Sequence, residues 1–184
     1  MMINFLLAFI LSISCIVAAD SEDIVETTNT RNSHVTMLDL SNDQTLTDIS
    51  FLKYFPNLRE LDLRESYNIL NIEFLGQLTR LEKLNISGVF FEDYTGCSDL
   101  SFLAPLVELK ELDISGNFNL FYISPLTSLP NLHVLDLGLC SNIRDIKSLV
   151  GFPALKQLIT TRGKPLGLPK LPGVKITPRD YHLS

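Results

Sequence analysis

The strongest constraint on this chain is a period. Blocks opening at Val35, Leu58, Leu81, Leu109, Leu132 and Leu155 are spaced by 23, 23, 28, 23 and 23 residues. Each block repeats one skeleton: a leucine, two variable residues, a leucine, one variable residue, then leucine or isoleucine, as in Leu58, Leu61, Leu63, in Leu109, Leu112, Ile114 and in Leu132, Leu135, Leu137. The alternation sets Leu61 and Leu63 on one face of a short strand and Asp62 on the other. Farther along each block apolar residues return as Leu46, Ile49, Leu52; Ile69, Ile72, Leu75; Leu120, Ile123, Leu126; and Ile143, Ile146, Leu149. One block cannot bury both sets alone. Neighbours must stack, so that their strands form a parallel sheet over one shared interior. The expected fold class is an α/β repeat solenoid.

The segments Leu109 to Asn117 and Leu132 to Cys140 match the unit L-x-x-L-x-L-x-x-N/C, with the closing apolar residue, Leu120 or Ile143, one position later than the usual pattern. From Val35 to about Thr160 the chain therefore resembles the leucine-rich-repeat family. The return segments Asp48 to Leu52 and Tyr122 to Leu126 resemble the short-repeat branch of bacterial internalins and phosphatase-regulatory repeat proteins, in units one residue longer than the usual ~22. The resemblance implies a curved horseshoe, with the parallel sheet on the concave face and irregular or short helical turns on the convex face. Asp43, Ser66 and Val89 stand where the family places the Asn or Cys that ties adjacent turns together, so looser turns are expected there. The cysteine-rich caps of many extracellular members are missing.

Around the repeats the chain divides into a signal peptide over 1–19, an N-terminal cap over 20–34, repeats over 35–160 and a Pro-rich cap or tail over 161–184. Phe5 to Val17 is a thirteen-residue apolar run, and Ala18 and Ala19 supply the small residues a signal peptidase needs, with cleavage expected after Ala19. The start carries no Lys or Arg, which departs from the pattern. An uncleaved anchor is the rival reading, since Met1 to Ala19 nearly reaches the roughly 20 residues that span a bilayer. Cys15 invites a lipoprotein reading, but the leucine expected three residues earlier is missing. Secretion is the expected localisation, with membrane attachment only if the segment stays uncleaved. At the other end Pro165, Pro169, Pro172 and Pro178 exclude regular helix, and Leu171 to Ile176 echoes a repeat start, read as a shortened last turn and cap.

The formal charge of -6 argues against nucleic-acid binding, which needs a basic stripe to displace counterions from phosphates. The charge is uneven: Met1 to Ile143 stands at -12 and Arg144 to Ser184 at +6. Such a split suits an oppositely charged partner, head-to-tail association or a merely solvated surface.

The resemblance makes the concave face the default binding surface. Its central row is Asp39, Asp62, Asn85, Asp113 and Asp136, flanked by Arg59, Glu60, Lys83, Lys110, Glu111 and His133. Like charges one strand apart repel, so Arg59, Lys83, Lys110 and Lys156 are expected to compensate the row. The same aspartates also suit local hydrogen bonding within the strands. Aspartates strung along a line do not converge on one point, so no metal site is expected, and no cofactor.

The third unit carries five extra residues between Ile86 and Leu100, and Phe90, Phe91 and Tyr94 beside Glu92 and Asp93 have the composition of a recognition loop. Core packing of the two phenylalanines is the alternative. Asn85, followed by Ile86 and Ser87, is the one glycosylation sequon, and a glycan there would crowd the concave face. Cys97 and Cys140 remain after signal removal. One unit separates theirs, which favours Cys140 as a buried free thiol over a disulfide.

His34, His133 and His182 stand in no zinc spacing, nucleophile elbow or phosphate loop, so an enzyme is not expected. The leading reading is a secreted interaction protein that engages a protein ligand, or in second place a glycan, through the concave sheet and the third-unit loop. The alternative is an intracellular or membrane-tethered scaffold that regulates an enzyme.

Overall fold

The computed structural model describes residues 32–89, 100–161 and 167–179. The signal segment, most of the N-terminal cap and the third-unit loop lie outside them. Seven strands, β1 (Met37–Asp39), β2 (Glu60–Asp62), β3 (Lys83–Asn85), β4 (Glu111–Asp113), β5 (Val134–Asp136), β6 (Gln157–Thr161) and β7 (Lys175–Arg179), form one unclosed sheet in chain order. Every neighbouring pair is parallel. The register follows the period, so that Leu38, Leu61, Leu84, Leu112, Leu135, Leu158 and Ile176 stand in one column across the sheet. The 28-residue unit enters without a slip, with Lys83 opposite Glu111. A slip of one residue would turn every leucine in a strand toward water.

The interior lies between this column and the return path. The paired residues Ile49 and Leu52, Ile72 and Leu75, and Ile123 and Leu126 are buried, while Ile69, Ile143 and Ile146 pack partly buried at its margin. Their spacing of three matches the turn of a 3-10 helix, in which residues three apart eclipse on one side. The return path accordingly runs through short 3-10 segments at Ser50–Tyr54, Ile72–Gln77, Ser101–Leu103, Ser124–Ser128 and Ile146–Gly151. These turns pack tightly: a Cβ on Gly76 would lie 2.5 Å from the Phe102 carbonyl oxygen, a backbone atom with little room to move.

Where each strand ends, the backbone bonds are redistributed between units. The N–H groups of Ser41, Arg64, Ser87, Ser115 and Gly138 donate to the Oδ1 of the Asp or Asn two residues earlier, at 2.8–3.0 Å. Carbonyls left open in the preceding unit are taken by side chains four residues past the strand. Ser66 Oγ donates to Leu40 O at 2.8 Å, Asn117 Nδ2 to Ile86 O at 2.9 Å, and the Cys140 thiol to Ile114 O at 3.1 Å. Ser66 thus corrects the expectation of a looser turn, because its hydroxyl also accepts from the Asp43 N–H at 3.1 Å. Val89 has no polar atom for this role, and Leu63 O is taken within its own turn by the Ser66 N–H at 3.1 Å. The turns themselves use left-handed backbone at Asn42, Glu65, Gly88, Gly116 and Leu139, with φ between 57° and 73°. Glycine adopts that region without strain, whereas Leu139 does so at a cost of order 1 kcal/mol or more.

The C-terminal end extends farther than a shortened turn. β7 runs five residues and pairs with β6 along its whole length, within the stretch expected to be a Pro-rich cap or tail. Pro178 is tolerated because β7 is an edge strand and the missing donor leaves no central ladder bond unmade.

If the side-chain ties and the column carry the stack, replacing Asn117 by Ala, which leaves Ile86 O and Ile114 O without these partners, should cost about 1–3 kcal/mol. Replacing the buried Leu126 by Ala should cost about 2–5 kcal/mol. Leu70, 84% exposed, should change stability by less than about 0.5 kcal/mol when made Ala. Urea melts of the three variants test the ranking. Equal losses for Leu70→Ala and Leu126→Ala would refute the assignment of the core.

Candidate functional site

Concave-facing residues from β1 to β7 line a shallow groove of about 390 Å3 whose floor is the sheet itself, with Met37, Val134 and Ile159 as apolar side chains on the same face as the charged residues. Three charge rows run across the sheet, the first outside the lining of the groove and the other two crossing it. In the first, Glu82 bridges Arg59 and Lys110, the latter at 2.5 Å, and both hydrogen bonds hold its carboxyl below the usual carboxylate range, Lys110 contributing most. In the second, Lys83 lies 4.0 Å from Glu60 and 3.5 Å from Glu111. These neutralise each other along the sheet. Exposed pairs of this kind are screened by water and contribute little to stability, so they keep the face hydrated more than they hold it together.

The third row is Asp39, Asp62, Asn85, Asp113 and Asp136, adjacent in register. The cations expected beside it, Arg59, Lys83 and Lys110, pair with glutamates instead, because they project from the two other rows. Among the described residues the ion pairs made by the aspartates go to Arg64, 3.6 Å from Asp62, and to Arg179, 3.4 Å from Asp113 and 3.0 Å from Asp136. Lys156 enters none of these pairs. Each member of the row gives Oδ1 to its own strand end, so the local hydrogen bonding that the sequence allowed is a feature of all five. Asp39 is drawn below the ordinary carboxylate range by its hydrogen bonds from Ser41. Asp136 behaves oppositely. Its side chain is 3% exposed, burial pushes its carboxyl up, Asp113 adds to the rise, and the Gly138 N–H and Arg179 only oppose it.

The remaining candidates are dispersed. His133 is half-buried on the first row, its Nδ1 against the Asn131 carbonyl. Asn85 is half-buried on β3, with Oδ1 taken by the Ser87 N–H. Phe90, Phe91, Tyr94 and Cys97 lie outside the described residues. The units on either side of that loop expose Tyr67, Leu70, Phe118 and Tyr122. Cys140 is a buried free thiol, pushed up to about 12 by its burial, which leaves it protonated and unreactive at neutral pH.

Glu82, Arg64 and Arg179 were missed in the sequence. Glu82 was visible as the acidic member between Arg59 and Lys110 at one repeat position. Arg179 follows from carrying the period through Leu171 to Ile176, which sets it beside Thr161 on the concave face.

The raised carboxyl of Asp136 has a testable sign. Because its folded-state value exceeds the unfolded one, its ionisation subtracts from stability at neutral pH, and the penalty vanishes as the pH falls through the raised value toward the ordinary carboxylate range. Asp136→Asn keeps an Oδ1 for Gly138 and removes the charge. Its Tm should exceed that of the parent by about 1–4 °C at neutral pH, the gap closing toward about pH 4. A lower Tm at neutral pH, or a gap that widens on acidification, would contradict the burial argument.

No family model matches the sequence, and no curated protein matches it. Solved structures do. An internalin, inlF, of Listeria monocytogenes is 31% identical over 62% of this chain and 32% of its own, with a TM-score of 0.53. Internalin C2 of the same species is 22% identical over 80% of this chain and 72% of its own, with a TM-score of 0.55. A leucine-rich-repeat protein of Leptospira interrogans is 22% identical over 74% and 34%, with a TM-score of 0.56. This chain thus spans about a third of the length of the first and third of these. The repeat skeleton and the parallel sheet in chain order agree with this likeness: the chain has the leucine-rich-repeat fold.

Proposed function

We propose that the chain is a secreted, non-catalytic recognition protein that holds a protein partner against the concave face of its sheet. The observation that carries this reading is the groove: a seven-strand face on which charged rows are interspersed with the apolar side chains of Met37, Val134 and Ile159, shallow along its length. Solenoids use such extended concave surfaces for binding, and a mixed apolar and charged face suits a protein surface better than the stacked sugars of a glycan. Residues of the two outer rows set the register of the partner, and the aspartate row supplies the central contacts. Secretion is supported by the apolar N-terminal run and its small-residue end.

A photo-crosslinking side chain placed at Val134, on the concave face, should yield a discrete protein adduct in the native host, while one at the exposed Val150 on the return path should not. Adducts at Val150 and none at Val134 would refute the concave reading. The intact mass recovered from the medium should correspond to a chain starting at Asp20, with any glycan on Asn85 visible as added mass. Full-length chain confined to cells would move the protein to the membrane or the cytoplasm.

A further inference from the structure

The groove carries six carboxylates and two cations, and each of the two cations is shared between two carboxylates. Asp136 stands apart by its hydrogen bonding. Its side chain is 3% exposed, its Oδ1 is held by the Gly138 N–H at 2.8 Å, and its Oδ2 receives no hydrogen bond although it lines the groove. Arg179 Nη1 lies 3.0 Å from that atom, but its N–H donates to Asp113 Oδ2 at 3.4 Å. One guanidinium therefore spans two carboxylates and satisfies one of them. A buried carboxylate oxygen without a donor is costly, and the chemistry that relieves it is an N–H donor with positive charge.

We propose that Asp113 and Asp136 form a cation subsite for a lysine or arginine side chain of the protein partner, with Arg179 as its internal occupant in the free protein. This rests on the concave-face reading above. The two carboxylates are register neighbours on β4 and β5, about 4.8 Å apart at the backbone, a separation that one planar guanidinium can bridge with two donors. Arg179 reaches them from β7, two strands beyond β5, and its side chain is 44% exposed. Contacts made at the solvent boundary contribute little. A partner's cation that arrives with its own apolar surround is shielded from water and binds the same oxygens more strongly. Asp62 and Asp39 continue the line toward β1, so a segment bearing more than one basic residue gains further contacts along it.

The test is isothermal titration calorimetry of the full chain with a penta-arginine peptide at physiological salt, using charge-matched controls on the return path. Asp113→Asn should weaken binding about ten-fold, whereas Glu73→Gln, which removes the same charge from an exposed convex position, should change it less than about two-fold. Arg179→Gln should tighten binding about three- to ten-fold, whereas Lys147→Gln should change it less than about two-fold. Should Asp113→Asn fail to melt cooperatively, Asp136→Asn provides the same comparison. Absence of binding by the parent chain, equal effects of each variant and its control, or weaker binding by Arg179→Gln each overturns the subsite. If that happens while Val134 still crosslinks a partner, the concave interface stands and only its cationic chemistry falls. Loss of both removes the interface reading itself.

Discussion

The structure depends on a single column of leucines. Leu38, Leu61, Leu84, Leu112, Leu135 and Leu158 are each less than a tenth exposed, yet none would be buried by its own unit. Each is covered by its neighbouring strands and the isoleucines and leucines of the return path. Stability is therefore a property of neighbours, and every feature of the concave face inherits its position from the register that the column imposes. This is why the side chains on either side of each core leucine fall into straight rows, and why a charge at one repeat position meets whatever stands at the same position one unit away, as Lys83 meets Glu60 and Glu111.

The aspartate row and the ties between turns are two halves of one arrangement. At the strand end, an N–H that has no carbonyl across the sheet is held by the Asp or Asn two residues before it. A carbonyl in the preceding unit is then closed by Ser66, Asn117 or Cys140. Different chemistries serve the same need, since a hydroxyl, an amide and a thiol can each donate to a carbonyl. The aspartates are thus structural through one oxygen and available through the other. Only at Asp136, which shares Arg179 with Asp113, is that second oxygen buried and without a hydrogen bond.

Much of this was legible in the residues. The period fixed the unit, the alternation around Leu61 assigned its faces, and the spacing of three between Ile49 and Leu52 or Ile72 and Leu75 corresponds to the 3-10 turns. The central row was read correctly as a row. What escaped was pairing. Arg59, Lys83 and Lys110 are close to the aspartates in sequence, but side-chain direction sets them on other rows, and sequence distance says nothing about that. Arg179 is 43 residues beyond Asp136 and is brought to it by a last strand whose prolines mask the repeat. Ser66 was discounted because the family places Asn or Cys there, although its hydroxyl has the same donor capacity.

The claim most in need of measurement is that the concave aspartates hold their own strand ends and present only the outer oxygen to a ligand. Amide hydrogen exchange of the intact chain, resolved residue by residue by NMR, addresses it directly. The N–H groups of Ser41, Arg64, Ser87, Ser115 and Gly138 have side-chain acceptors at 2.8–3.0 Å. The account predicts protection at Ser115 and Gly138 close to that of the strand amides, with protection at Gly138 reduced in Asp136→Ala and kept in Asp136→Asn. Unprotected amides at both positions in the parent chain would contradict it, and would leave the aspartate row without the structural role argued for it.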